Sequence, residues 1–200
     1  MPNKTITAGL AGLAVLASVA ASPAAAFASD SGSTKQLHLR KGLTLTIPKT
    51  WKIVERQKDW LRVITGPCPP FRTDTFGFRD SGCHSFWVMG PKALKVGHEL
   101  FRPYSPDGPF YPATDVGPCP YDKRLYIGQM KPAGKGLRQI GPGHKAYYRE
   151  WSGTCVSMTT YKVKGHYTQR EWYLPKSKIL VIDQWNTPGL SAILKHASWN

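Results

Sequence analysis

Hydrophobic positions first set the N-terminus apart from the rest of the chain. Ile6 to Ala20 is apolar, alanine-rich and uncharged, with Lys4 in front of it. From Gly42 the pattern changes to a period of two. Leu43, Leu45 and Ile47 alternate with Thr44 and Thr46 up to Pro48, the signature of a half-buried strand. After the Pro48-Lys49-Thr50 turn, Trp51 to Glu55 and Trp60 to Thr65 read as two more strands, the latter ended by Gly66-Pro67. Ser85 to Met89 is a short apolar strand. Pro91 to Phe101 has Leu94, His98 and Phe101 on one side of a helix that Pro91 would open. Residues 102–121 have no period and six prolines, and are expected to form a long loop.

Periodicity returns at Arg124 to Met130, another strand. Residues 131–145 (KPAGKGLRQIGPGHK) are expected to be a solvated hairpin connection. Four strands then follow: His144 to Trp151, Thr154 to Lys164, Thr168 to Leu174 and Lys178 to Trp185. Turns are expected at Gly165-His166 and Pro175-Lys176-Ser177. Ile179-Leu180-Val181-Ile182 is apolar on both faces, which places that strand centrally with a layer on each side. The last element is helical, with Thr187 as cap, Pro188 at its first position and a stripe of Leu190, Ile193, Leu194 and Ala197. The fold class that follows is α+β, a largely antiparallel sheet with a C-terminal helix packed on one face.

Two stretches carry a family resemblance. GLTLTIPKTWKIV (42–54) resembles the opening of PsbP/Mog1-like domains, where an amphipathic strand runs into Pro-x-x-Trp and a second strand. REWYLPKSKILVIDQW (170–185) with TPGLSAILKHASW (187–199) is similar to their closing strand pair and helix. The resemblance implies an α/β sandwich used for binding or assembly, without a family active site; it does not extend over residues 68–143 or to the cysteines.

The N-terminal stretch reads as a secretory signal. Lys4 is its basic region, Ile6 to Ala20 its apolar region, and Ala26-Phe27-Ala28 its cleavage site. Its alanine-rich composition resembles actinobacterial signals. The expected organisation is a signal at 1–28, a polar linker at 29–37 and a single domain at 38–200, secreted to the extracellular space with no integral membrane segment in the mature chain. In an oxidising compartment the four cysteines are expected to pair. They allow three connectivities, of which Cys68–Cys83 and Cys119–Cys155 close local loops. The whole chain carries 27 Lys and Arg against 12 Asp and Glu, a net charge of +15, and loss of Lys4 with the signal lowers it to +14. Such a charge favours anionic partners.

No nucleophile elbow, zinc-binding His-Glu-x-x-His or dinucleotide fingerprint is present. The six histidines share no ligand spacing, so neither metal nor cofactor is expected. Asp183 is the acid of interest; it is expected to make a structural bond to Arg149, Arg170 or a turn, and the alternative is glycosidase-type chemistry with Glu150 and Glu171 on neighbouring strands as partners. Candidate binding residues are Phe71, Arg72 and Arg79 in the first cysteine loop, Tyr104, Phe110, Tyr111 and Tyr121 among the prolines, and Lys131, Lys135, Arg138 and Lys145 in the glycine-rich stretch. The leading expectation is a non-enzymatic secreted binding protein for an anionic envelope polymer or an acidic protein. The alternatives are a hydrolase using Asp183 and Glu171, or a protease inhibitor. The cysteine spacing and Cys119-Pro120-Tyr121 resemble subtilisin-inhibitor-like proteins, which implies Tyr121 as the residue offered to the protease. Nucleic acid is not an expected partner, since no recognised module is visible.

Overall fold

Two antiparallel sheets and a loop layer make a three-layered body in the computed structural model, which describes residues 33–57, 59–70 and 81–200. The large sheet has seven strands: β3 (Lys52–Gln57), β4 (Trp60–Ile64), β5 (Ser85–Met89), β6 (Tyr126–Gln139), β7 (Lys145–Val156), β8 (Val163–Leu174) and β9 (Ile179–Asp183). Their order is β3-β4-β5-β9-β8-β7-β6. The apolar β9 is therefore the middle strand, and all five of its residues are buried. The small sheet places β2 (Leu43–Pro48) between β1 (Thr34–His38) and β10 (Ser198–Trp199). Among the described residues the two α-helices are short: α1 (Pro91–Leu94) and α2 (Leu190–Lys195). Sheet dominates, with the C-terminal helix a small part of one covering layer.

One face of the large sheet carries Val63, Phe86, Val88, Trp172, Val181 and Ile179. Against it pack Leu43, Leu45 and Ile47 of β2 and Leu190 and Leu194 of α2. The alternation in β2 thus points its leucines and isoleucine at the large sheet. The opposite face carries Trp60, Trp87, Met89, Leu180 and Ile182, covered by α1 and the proline-rich loop through Ala93, Leu94, Tyr104 and Phe110. Both disulfides form, Cys68–Cys83 and Cys119–Cys155. From their loop lengths the chain-entropy model gives contributions of about 3 and about 4 kcal/mol. The second joins the end of the proline-rich loop to β7.

Several expectations need correction. Residues 34–37 are strand rather than linker, because Leu37 is buried opposite Leu45 in register. The helix expected from Pro91 to Phe101 stops at Leu94. Beyond it the backbone bonds the proline-rich loop instead, with Tyr111 N–H donating to Gly97 O at 2.8 Å. A Cβ at Gly97 would lie 2.5 Å from that of Tyr104, so only glycine allows this approach. The glycine-rich stretch is not a connection: β6 runs through it to Gln139 as the sheet edge, with a register shift between Pro132 and Gly134. Proline and glycine are tolerated there because an edge strand bonds on one side only. Finally, Gly165-His166 is inside a strand, and the β7–β8 turn lies at 157–162. The ring of Tyr167 occupies the space above Gly153, where a Cβ would be 2.4 Å from it, so a glycine that looks like a break is a packing position.

Candidate functional site

β7 and β8 extend past the cover of the small sheet, and their alternation sets the site. Tyr148, Glu150 and Ser152 project from one face of β7; Arg170 and Thr168 stand opposite Glu150 and Ser152 in register on β8, with His166 next along. Tyr121 and Asn186 wall the space, giving an open cleft of about 440 Å³. Gly134 lies beside Glu150 on the edge strand and adds no side chain, which keeps that flank low. Lys131 pairs with Ser152 in register, and the Arg138 guanidinium lies 4.7 Å from the Tyr148 ring centre.

The cleft's polar groups are unequal in availability. Tyr148 donates to Glu150 Oε2 at 2.6 Å, and burial together with that carboxylate pushes the Tyr148 hydroxyl well above its usual range. It is a donor, not a base. Arg170 is committed inward: Nε and Nη2 both bond Asp183 Oδ2, the former at 3.1 Å, and the guanidinium lies over Trp172. Asp183 is 0% exposed. It also accepts from Trp185 N–H, Thr187 N–H and Thr187 Oγ1, each at 3.0 Å. It therefore ties the strand end to the turn that leads into α2. Thr187 therefore does not cap the helix as expected: its hydroxyl is given to Asp183, and the helix starts at Leu190, after Gly189 in the left-handed conformation (φ 75°).

Glu171 is on the other face. Arg170 pairs with Asp183 and Glu171 with Ile182, so the two acids point in opposite directions. Glu171 is also 0% exposed. It receives Tyr104 Oη, the Phe110 N–H and Gln169 Nε2, each at 2.7 Å. Gln169 Nε2 also bonds the Phe110 carbonyl, and Arg149 donates to the Pro106 carbonyl. These side chains hold residues 104–110 flat on the sheet. Burial raises the Glu171 carboxyl above its ordinary pKa despite these donors. Hydrolysis by paired carboxylates needs both acids on one cleft; here Glu150 alone of the three has solvent access.

Of the expected binding residues, Tyr104 and Phe110 are core, 7% and 0% exposed, and Tyr111 is half-buried. The prolines shape a lid for the sheet rather than an aromatic platform. Tyr121 is 43% exposed, but its hydroxyl donates to Gln184 O and its ring meets Trp185 edge-on. It is not held out on a free loop as a protease would need. Lys131, Lys135, Arg138 and Lys145 are all exposed along β6 and the start of β7. Phe71, Arg72 and Arg79, and the signal, lie outside the described residues. Sequence reasoning missed the cleft's Tyr148, Ser152, His166, Thr168 and Asn186. The one available clue was that 144–151 and 168–174 alternate, which puts their odd and even positions on shared faces.

A larger depression of about 580 Å³ lies beside the proline-rich loop, lined by His98, Glu99, Arg102, Tyr111 and Met130. Its groups are engaged in shaping the loop: His98 Nε2 accepts the Ser105 N–H at 2.9 Å, and Tyr111 Oη accepts the Gly117 N–H at 2.7 Å. The polar cleft is the better candidate because its groups converge on open space. Among the described residues no three His, Cys, Asp or Glu side chains converge as a metal site would require, and no helix is long and apolar enough to cross a membrane. No protein-family model, curated protein or solved structure matches this chain.

The Tyr167 hydroxyl, on the loop-covered face, is buried without a hydrogen-bond partner among the described residues. Burial also raises its pKa. Removing an unsatisfied buried hydroxyl relieves its desolvation. Tyr167→Phe will therefore be as stable as the parent or up to about 1 kcal/mol more so, measured by urea unfolding.

Proposed function

We propose that this is a secreted, extracellular binding protein for an anionic envelope polymer, engaged along the β6–β8 half of the large sheet. One observation carries the reading: from Lys123 to Asn200 every exposed charged side chain is a lysine or arginine. The three acids of that region are Glu150, half-buried, and Glu171 and Asp183, fully buried. A surface with cations and no exposed acids attracts a polyanion over a Debye length and releases its counterions on contact. The cleft beside Lys131 adds hydroxyl, amide and carboxylate groups suited to the hydroxyl-bearing units of such a polymer. The disulfides fit an oxidising destination. Five of the seven tryptophans do not add to the binding surface: Trp51, Trp60, Trp87, Trp151 and Trp172 are all buried.

Chromatography on an immobilised polyphosphate or teichoic acid tests this. The protein should elute late, and Lys131→Glu/Lys135→Glu/Arg138→Glu should elute at a much lower salt concentration. Lys49→Glu/Lys52→Glu, at the far edge, should shift elution far less. Shifts in proportion to the number of reversed charges, three sites against two, would mean that only net charge matters, and no retention at low salt would reject the reading.

A further inference from the structure

The turn between β7 and β8 gathers exposed apolar side chains most densely in the cationic half, where Leu137 and Tyr147, paired across β6 and β7, are the other large ones. Three large apolar side chains are exposed at it: Met158 at 43%, Tyr161 at 76% and Val163 at 51%. Lys162 and Lys164 alternate with them and are exposed too. No acid occurs between Trp151 and Arg170. The adjoining segment before β6 adds Lys123 and Arg124, with Asp122 bonded to Arg124 at 2.8 Å.

This tip is built to project. Tyr161 N–H donates to Ser157 O at 2.7 Å, and Ser157 N–H to Lys162 O at 3.0 Å. Thr160 N–H caps the turn on Ser157 Oγ at 3.3 Å. Tyr161 has φ 54°, a left-handed conformation that costs a non-glycine residue energy, and there it holds the ring outward. The Cys119–Cys155 disulfide clamps the base of the hairpin.

We propose that the β7–β8 tip docks on an anionic lipid bilayer, placing Met158, Tyr161 and Val163 in the headgroup region and Lys162 and Lys164 on its phosphates. Apolar groups on a convex tip find no complementary pocket in water, yet a lipid interface accepts them without shape matching. Tyrosine suits that boundary, with an apolar ring and a wet hydroxyl. Lysine stems lie along the apolar surface while their heads stay with the phosphates. A stable protein partner would need about 800 Å² from this side, more than one turn offers. Each lysine at an anionic membrane adds about fivefold in affinity.

The test is co-sedimentation of the exported chain with vesicles of phosphatidylglycerol and phosphatidylcholine, and with phosphatidylcholine alone. The parent should bind the anionic vesicles at least ~10-fold more tightly. Met158→Ser/Tyr161→Ser/Val163→Ser should lose ~10-fold or more of that binding, while its elution from immobilised polyphosphate and its melting temperature stay as in the parent. The proposal is overturned if the parent ignores anionic vesicles, or if the serine variant binds them equally well, which would assign the binding to charge alone. It is also overturned if that variant loses polyanion retention to the same extent, since the tip would then be a polymer contact. Loss of vesicle binding with polymer retention intact supports the tip whether or not the polymer reading survives.

Discussion

Replacing Glu171 by alanine will cost about 3–5 kcal/mol of folding stability. Tyr104 Oη, the Phe110 N–H and the Gln169 amide all donate to this carboxyl in a place without solvent access. Alanine would leave those donors buried and unmatched, at about 1–3 kcal/mol each before relaxation. The loss should be structural as well. Amide exchange should become faster around Phe110, whose ring fills the core under the loop. Glu171→Gln should cost much less, since its oxygen can still accept from Phe110 and Gln169.

The same residue gives a pH dependence. Its carboxyl has a raised pKa in the fold, so the folded state keeps the proton at a pH where the unfolded chain has lost it. Stability is fully present below the ordinary glutamate value of about 4.5 and declines as pH rises toward the folded pKa, where it levels off. Urea midpoints across that range should fall in the parent and lack that component in Glu171→Gln. Identical slopes in both proteins would remove Glu171 as the cause.

Asp183→Ala is expected to cost a similar amount, about 3–5 kcal/mol, by a different route. Here the partner left behind is a cation: Arg170 is largely buried, its side chain 15% exposed, and its charge is balanced by Asp183. The turn N–H groups of Trp185 and Thr187 lose their acceptor too. Asp183→Asn will recover only part of the loss, because its amide would face the Arg170 guanidinium or the Thr187 N–H, donor against donor. Any ligand affinity of the cleft should fall with it, since Arg170 forms its floor. If thermal unfolding shows both variants as stable as the parent, the turn is held by packing alone.

The contrast between these two acids shows how far the residues could be read. Ile-Leu-Val-Ile (179–182) is apolar on both faces, and such a run can only be stable between two layers; β9 is the central strand. Leu43, Leu45 and Ile47 face the core because a period of two leaves them no other common side. Of the three connectivities that four cysteines allow, the one that closes two local loops is formed. Asp183 and Glu171 lie on neighbouring strands, as the alternating runs around them imply, but on opposite faces. That depends on the register of β8 against β9, and a shift of one residue reverses every side chain.

The glycines misled for a related reason. Gly134, Gly136, Gly153 and Gly165 look like turn residues when only their neighbours in the chain are considered. In the fold, Gly153 makes room for a ring from the next strand, while Gly134 and Gly136 lie in an edge strand that has only one partner to satisfy. The proline-rich loop is a different case. Long aperiodic loops with aromatic residues commonly pack flat on a sheet, and this one does, its backbone drawn onto β7 and β8 by the buried carboxyl of Glu171 and the guanidinium of Arg149; which of its aromatics would be core, Tyr104 and Phe110, was not legible in the sequence.

By itself, then, the amino-acid order determined the alternating strands, the buried middle strand, the cysteine bracing and the excess of positive charge. Each of these depends on residues near one another in the chain or on totals. Only the tertiary structure decided which acids are interior anchors, where the cations gather and which apolar side chains stand out at the hairpin tip. Those outcomes depend on cross-strand register and on which face another layer covers, and both are set by contacts between residues far apart in the chain.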